Sequence, residues 1–401
     1  MFKPNPGHRL ELHILKSHGV SNLNRDDMGQ PKSVQIGGCR RLRISSQSEK
    51  YSIRHSDIFQ QFLDESDLKY GATRMVRTRH ATEYIQKKLA GKISDCGHDP
   101  EKNLEDITRC TNSLKNIFSQ NDGNKQNEEG ITQLIALSKA ELDYLTDEMF
   151  EITSNEKFVI RDISDTIKKL SHKRTSSGFL SPELQLFGRF TTSSTFFRNI
   201  DTPLQVSHGF TVHEARIEQD YWTAVDDLNK ESDKTGGGHL DSRSFGAGIF
   251  YHYYCLDVPT LTRNILGSFT TLNDSAQVEL TADLIAAFLY ATICRNPVGS
   301  QTNNANHDLP DCIYLTYGNA FPYCAQNAFE RPVNMTVGGG FYTEAKRCFI
   351  DWIKERKQRY GIFCGYESSM GIDNKSSDLQ TLVESAVDQT FPVIRSNLIT
   401  S

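Results

Sequence analysis

Gln47, Lys50 and Arg54 stand at i, i+3 and i+7, so they share one face of any helix that contains them. An amide and two cations along one face suit anion binding: the cations neutralise successive phosphates, and the amide bonds a sugar or base edge. These residues end a run in which Arg25, Lys32, Arg40, Arg41, Arg43, Lys50 and Arg54 supply seven positive charges against three negative ones. Ser45, Ser46 and Ser48 add neutral hydroxyls. A helix starting here would also present unpaired N–H groups and the positive end of its dipole. Such contacts hold a strand without reading its sequence. A solvated basic helix paired with acidic neighbours fits the same residues equally well. Two further basic runs, Arg74–His80 and His172–Thr175, are each more typical of solvated surface.

Other chemistries are weaker in this sequence. Asp26 and Asp27 are adjacent carboxylates beside the basic run and could hold a metal ion for phosphodiester hydrolysis. Neighbours in sequence need not converge, however, and a turn-stabilising pair is the plainer reading. Asp95, Cys96, His98 and Asp99 resemble a metal cluster, but a polar loop explains them as well. No GxxxxGK[ST] loop and no GxSxG elbow occurs. Gly236–Gly238 and Gly338–Gly340 are isolated runs and read as hinges. The expectation is a protein with no catalytic residues, metal or cofactor.

The elements that must position the cations follow from hydrophobic spacing. Leu10, Leu12 and Ile14 alternate over Leu10–Lys16 and predict a strand. Residues 21–38 read as an irregular polar loop ending at Gly37-Gly38. Arg40–Ile44 predicts a second strand, with Leu42 and Ile44 on one face and Arg41 and Arg43 on the other. Ser46 and Glu49 form an S-x-x-E capping box that starts a helix. Residues 80–180 turn helical and charged, interrupted by the loop 120–130. Strand character returns at 183–192. Residues 205–250, with Trp222 and an apolar return strand, suggest a protruding hairpin. Ala282–Cys294 and Glu344–Tyr360 predict helices, and 313–318 a strand.

At 401 residues, 37% hydrophobic and 10% aromatic, the chain can bury a large core. No stretch suggests a bilayer span or a secretory signal. Nine scattered cysteines without a CxxC pair point to thiols in a reducing cytoplasm. Net charge is −5, yet residues 1–60 hold ten Lys/Arg against five Asp/Glu, which is one concentrated cationic segment on an acidic protein.

SNLNRDD (21–27), Gly37-Gly38 and RLRISSQSEK (41–50) closely resemble the N-terminal signature of the CasC family, the backbone subunit of type I-E CRISPR Cascade within the RAMP superfamily. LFGRFTTS (186–193), the YWTAVDDL…GHL…FGAGIFYHYY run (221–254), NPVGSQTNNANHDLPDCIYL (296–315) and AQNAFE (325–330) agree in the same order. The resemblance implies an α+β fold: an RRM-like (ferredoxin-like) palm at 1–65, 181–204 and 251–401, helical fingers at 66–180, and a β-hairpin thumb at 205–250. It implies a protein that oligomerises along a guide CRISPR RNA and presents it to target DNA. The partners would be further copies, the large, small, repeat-handle-binding and RNA-processing subunits, and a recruited nuclease. Arg25, Lys32, Ser45, Gln47, Lys50 and Arg54 would contact the guide, with Arg41 and Arg43 beside them. Phe190 would wedge a displaced base and Leu240 would pack at the kink. Tyr51 departs from the basic residue frequent in relatives, and Ser300 from their usual lysine. The rival is a metal-dependent ribonuclease of the type III backbone kind, using Asp26 and Asp27.

Overall fold

The computed structural model describes residues 7–97, 105, 107, 108, 111, 112, 114, 115, 134–153, 181–190, 199–224, 239–268, 271–297, 299, 301–361, 365–372 and 377–399. Besides a short strand at Leu204–Val206, the strands are β1 (Arg9–Ser21), β2 (Ser33–Ile36), β3 (Cys39–Ile44), β4 (Met75–Thr78), β5 (Ile135–Ser138), β6 (Gly209–Thr211), β7 (Glu218–Ala224), β8 (His239–Asp257), β9 (Cys312–Tyr317) and β10 (Tyr366–Met370). The longer helices are α1 (Ser46–Arg54), α2 (Asp57–Tyr70), α3 (Ala81–Asp95), α4 (Lys139–Thr153), α5 (Pro182–Phe187), α6 (Val258–Ser268), α7 (Asp274–Cys294), α8 (Tyr342–Tyr360) and α9 (Leu379–Ile399). The fold is α+β with antiparallel strand pairing, as the sequence indicates. The chain divides into two compact units: one of residues 1–60, 205–257 and 285–391, the other of 61–204, 258–284 and 392–401.

The first unit is built on a sheet ordered β10-β9-β1-β8-β6-β3-β2, with every neighbouring pair antiparallel. Strand β1 runs from Arg9 to Ser21, five residues beyond the predicted end, because β8 pairs with it almost to its tip. It lies inside the sheet, and both of its faces are buried over Leu10–Leu15. One face carries the polar pair Glu11 and His13, and nearby side chains partner the Glu11 carboxylate and one ring nitrogen of His13. Tyr253 Oη donates to the Glu11 carboxylate at 2.6 Å, as does the Asn319 amide at 2.6 Å, and His13 Nδ1 lies 2.8 Å from Tyr251 Oη. Around them Leu15, Tyr251, Phe329 and Phe349 form an apolar core. Helix α8 adds Ala345, Phe349 and Ile353, four residues apart on one face. The outer half of β8 pairs with β7 in a hairpin from Glu218/Phe245 to Ala224/His239, where two strands were expected in the 205–250 segment.

Two glycines explain the tight β2–β3 connection, which the sequence presents only as the end of a polar loop. Gly37 and Gly38 have φ of 60° and 82°, as a two-residue hairpin turn with positive φ at both positions requires. The turn lets four residues of the supposed loop pair as β2.

The second unit packs α3 against α4 and an antiparallel pair of strands, β4 and β5, that are far apart in sequence. Ala81, Ile85, Leu89 and Ile93 meet Leu142, Leu145 and Met149 in its core. A buried Arg189–Glu141 ion pair at 2.8 Å ties α4 to the strand-like residue after α5. Over 183–187 the expected strand is a short helix, while residues 191–192 lie outside the described residues. Pro182 pre-sets its first turn and Gly188, at φ 73°, ends it. Helix α7 corrects the sequence expectation on apolar stretches. It is long and apolar enough to cross a bilayer, but 67% of that stretch is buried inside the protein. The seven cysteines among the described residues are all free thiols. The loop 120–130, the run 172–175, Gly236–Gly238 and Ser300 lie outside the described residues.

Candidate nucleic-acid interface

Strand β3 leads directly into α1, and this junction carries most of the candidate residues. Ser45 is extended (φ −74°, ψ 150°) and its hydroxyl accepts the Ser48 N–H at 3.3 Å, so it caps the helix. The cap is therefore Ser45, one residue before the Ser46 that the capping-box reading chose. Glu49 does not reach back to the helix start; its side chain goes into the protein. Glu49 Oε2 accepts from Tyr254 Oη at 3.0 Å and lies 3.4 Å from Arg295, while Oε1 lies 3.2 Å from His252. Burial works to raise the Glu49 carboxyl, but the neighbouring His252, Arg295 and Tyr254 outweigh it and bring it down to about 2. Ser52 and Ile53 are buried on the same side. The inner face of α1 is thus anchored by a charge network, and its outer face carries Gln47, exposed, with Lys50 and Arg54 half-buried.

The first amides of α1 are largely taken up by the protein. The Ser46 N–H donates to His208 Nδ1 at 3.2 Å, and Ser48 to Ser45. The attraction for an anion consequently rests on the side-chain stripe more than on open N–H groups. His208 is a member of this junction that no sequence motif signals, since it lies more than 150 residues away in a plain HGF stretch. Its Nδ1 also lies 3.2 Å from Arg43 Nη1. Desolvation first, then the Arg43 and Lys32 cations, hold the imidazole below its ordinary value, which keeps that nitrogen an acceptor.

Backbone bonds gather further cations here. Asn24 Oδ1 accepts the Ser45 N–H at 3.0 Å and Asn24 O accepts the Lys32 N–H at 2.8 Å. Arg43 N–H donates to Lys32 O at 2.8 Å. A small cavity of about 20 Å³ between them is lined by Asn24, Lys32, Arg43 and Ile44. Arg25, exposed, sits on the same loop, bridged to Pro31. The structure therefore brings Lys32, Arg43 and Ser45 together beside the α1 stripe and places Arg25 on the adjoining loop.

Arg41 is a correction. It shares a strand face with Arg43, but the segment Ala325–Phe329 covers it, and it is 0% exposed. Its Nη1 donates to Thr211 O at 3.0 Å and its Nη2 to Phe329 O at 3.2 Å. It pins the hairpin instead of facing a ligand. Asp26 is also committed: its Oδ1 accepts from the Met28 and Gln30 amides at 3.0 and 2.8 Å, the work of a turn residue. Asp27 is exposed on that turn. In the second unit Phe190 is 85% exposed. Leu240 falls within β8, but its side chain lies outside what the structure describes.

Over residues 10–392 the sequence matches the CT1975-like family of Cas proteins. The chain belongs to that family. No curated protein matches it. Among solved structures, a chain of a "CRISPR RNA-guided surveillance complex, pre-nicking" is 23% identical with a TM-score of 0.69, covering 95% of this chain and 100% of that one. A chain of a second "CRISPR RNA-guided surveillance complex" is 19% identical with a TM-score of 0.62, covering 95% and 99%. At such identities the likeness establishes a shared fold. The resemblance read in the sequence holds at the level of a Cas-family protein.

Proposed function

We propose that this CT1975-like protein is a non-catalytic, cytoplasmic backbone subunit of the CasC kind in a type I-E CRISPR Cascade. It binds the guide RNA, repeats along it and presents it for pairing with target double-stranded DNA. Its other partners are the accessory Cascade subunits and a nuclease recruited to the target. In this reading residues 1–65, 181–204 and 251–401 act as an RRM-like palm, 66–180 as fingers and 205–250 as a thumb whose Leu240 packs at a kink, with Phe190 against a displaced base. The structurally similar chains belong to CRISPR RNA-guided surveillance complexes, which supports a place in such a complex.

The observation that carries the RNA contact is the outer face of α1. Gln47, Lys50 and Arg54 lie along it, Glu49, Ser52 and Ile53 lock the opposite face, and Arg43 and Lys32 stand at its start. Five cations (Arg25, Lys32, Arg43, Lys50 and Arg54) on one single strand make affinity fall about 100-fold between 50 and 200 mM salt. The double variant Lys50→Glu/Arg54→Glu loses co-purifying guide RNA while its circular dichroism stays that of the parent. Retention of the guide by the folded double variant, with a flat salt dependence, would sink the proposal. Incubating the complex with complementary RNA and Mg²⁺ leaves the RNA intact; regular cuts abolished by Asp27→Ala would point to a ribonuclease instead.

A further inference from the structure

Tyr51 stands on α1 beside the cations, and His55 closes the end of that helix; both side chains are exposed. Tyr51 is 61% exposed although the inner face of its own helix is deeply buried. Its ring stacks on the exposed imidazole of His55, with centroids 4.0 Å apart and planes 26° from parallel. The pair is held still. His55 closes the helix, and its backbone N–H donates to the Tyr51 carbonyl at 3.1 Å. His55 Nδ1 lies 2.7 Å from the same oxygen. A carbonyl only accepts, so Nδ1 carries the proton and the ring orientation is fixed by its own helix end.

At about 100° per residue, Lys50, Arg54, Gln47, Tyr51 and His55 follow one another around an arc of about 140°. A rigid aromatic pair therefore borders a cationic stripe on one solvent-facing surface. A stripe of phosphate contacts beside an aromatic platform is the pairing of chemistries that grips single-stranded nucleic acid. The cations take the backbone, and the ring takes the face of a base of any identity.

We infer that Tyr51, braced by His55, stacks against a nucleobase of a bound single-stranded RNA, so that α1 holds a base as well as phosphates. The inference rests on the proposed guide-RNA contact of α1 and adds a separate, non-electrostatic component to it. Stacking on an aromatic ring is tolerant of sequence, as a protein serving many guides requires.

The test measures binding of the full-length chain to a mixed-sequence single-stranded RNA and to an abasic ribose-phosphate oligomer of equal length, across a salt series. Tyr51→Ala weakens binding of the RNA by about 10-fold or more, with an unchanged salt slope, and leaves the abasic oligomer unaffected. Tyr51→Phe and Tyr51→Trp bind as the parent does. Lys50→Glu serves as the control: it weakens both oligomers and flattens the salt slope. If Lys50→Glu behaves so but Tyr51→Ala costs nothing, or costs the same on both oligomers, stacking is overturned and the cationic contact stands. If Lys50→Glu is also without effect, the RNA contact of α1 is itself wrong, and the stacking inference goes with it.

Discussion

At the scale of single residues, Arg41 and Arg43 show how neighbours on one strand face come to do different work. Arg43 is half-buried and reaches the exposed His208, while two residues earlier Arg41 is sealed under Ala325–Phe329. The planar guanidinium bridges two carbonyls on separate segments, a geometry that a lysine's single ammonium cannot reproduce. Arg41→Ala leaves both carbonyls and a void behind, and lowers stability by about 3 kcal/mol. Arg41→Lys recovers only part of that loss. Thermal denaturation of the two variants checks this, and unchanged melting in Arg41→Ala would place the guanidinium outside the core. Arg43→Ala has the opposite profile: melting stays near the parent, while RNA affinity and its salt slope fall.

At the scale of elements, the β2–β3 hairpin depends on its two glycines to different degrees. A Cβ on Gly37 would sit 1.8 Å from the Glu330 carbonyl oxygen, at φ 60°, whereas one on Gly38 meets nothing within 4 Å, at φ 82°. Gly38→Ala therefore costs only the backbone strain, about 1 kcal/mol. Gly37→Ala must also push the 325–333 segment off the hairpin, and loses several times as much. Comparable melting of the two variants would refute the close approach. This hairpin also marks where the sequence stops being legible. The periodicities of β1, β3, α1, α8 and the apolar C-terminal part of α7, Ala282–Cys294, are visible because each repeats one residue type at its own spacing. Strand β2 is not, although Ser33, Val34, Gln35 and Ile36 alternate, because four residues are too short a run to stand out from the Asn-, Asp-, Gly- and Pro-bearing stretch around them, and their pairing comes from a turn. The stripe of α1 follows from spacing alone. The burial of Arg41, the inward turn of Glu49 and the arrival of His208 follow from segments far along the chain that no local pattern names.

At the scale of the whole molecule, the anchoring of α1 belongs to a buried ionisable cluster inside the first unit, and this makes the fold sensitive to acid. His18 lies in this cluster with Lys16, Glu49, His252 and, 3.4 Å away, Asp308. Burial is the largest influence on it and, helped by His252 and Lys16, outweighs the Asp308 and Glu49 carboxylates, bringing its pKa down to about 4. Burial likewise brings His13, on the opposite face of β1, down to about 3. In the unfolded chain both titrate near 6.5. Between those values the unfolded state binds more protons than the folded one, so stability rises with pH across the window. The contribution is complete above about 6.5 and is lost as pH falls towards 4, amounting for His18 to about 3 kcal/mol. Glu49 adds a second loss only at lower pH, as its carboxylate is protonated on the way down to about 2. The melting temperature should therefore fall steeply from pH 6.5 to 4.5 in the parent and distinctly less in His18→Gln, which has no proton to gain there. The expected signature is the difference in slope, because the substitution itself lowers the baseline at every pH. Parallel melting curves for parent and variant across that window would mean that His18 is protonated inside the fold, paired with Asp308, and that the cluster beneath α1 tolerates charge.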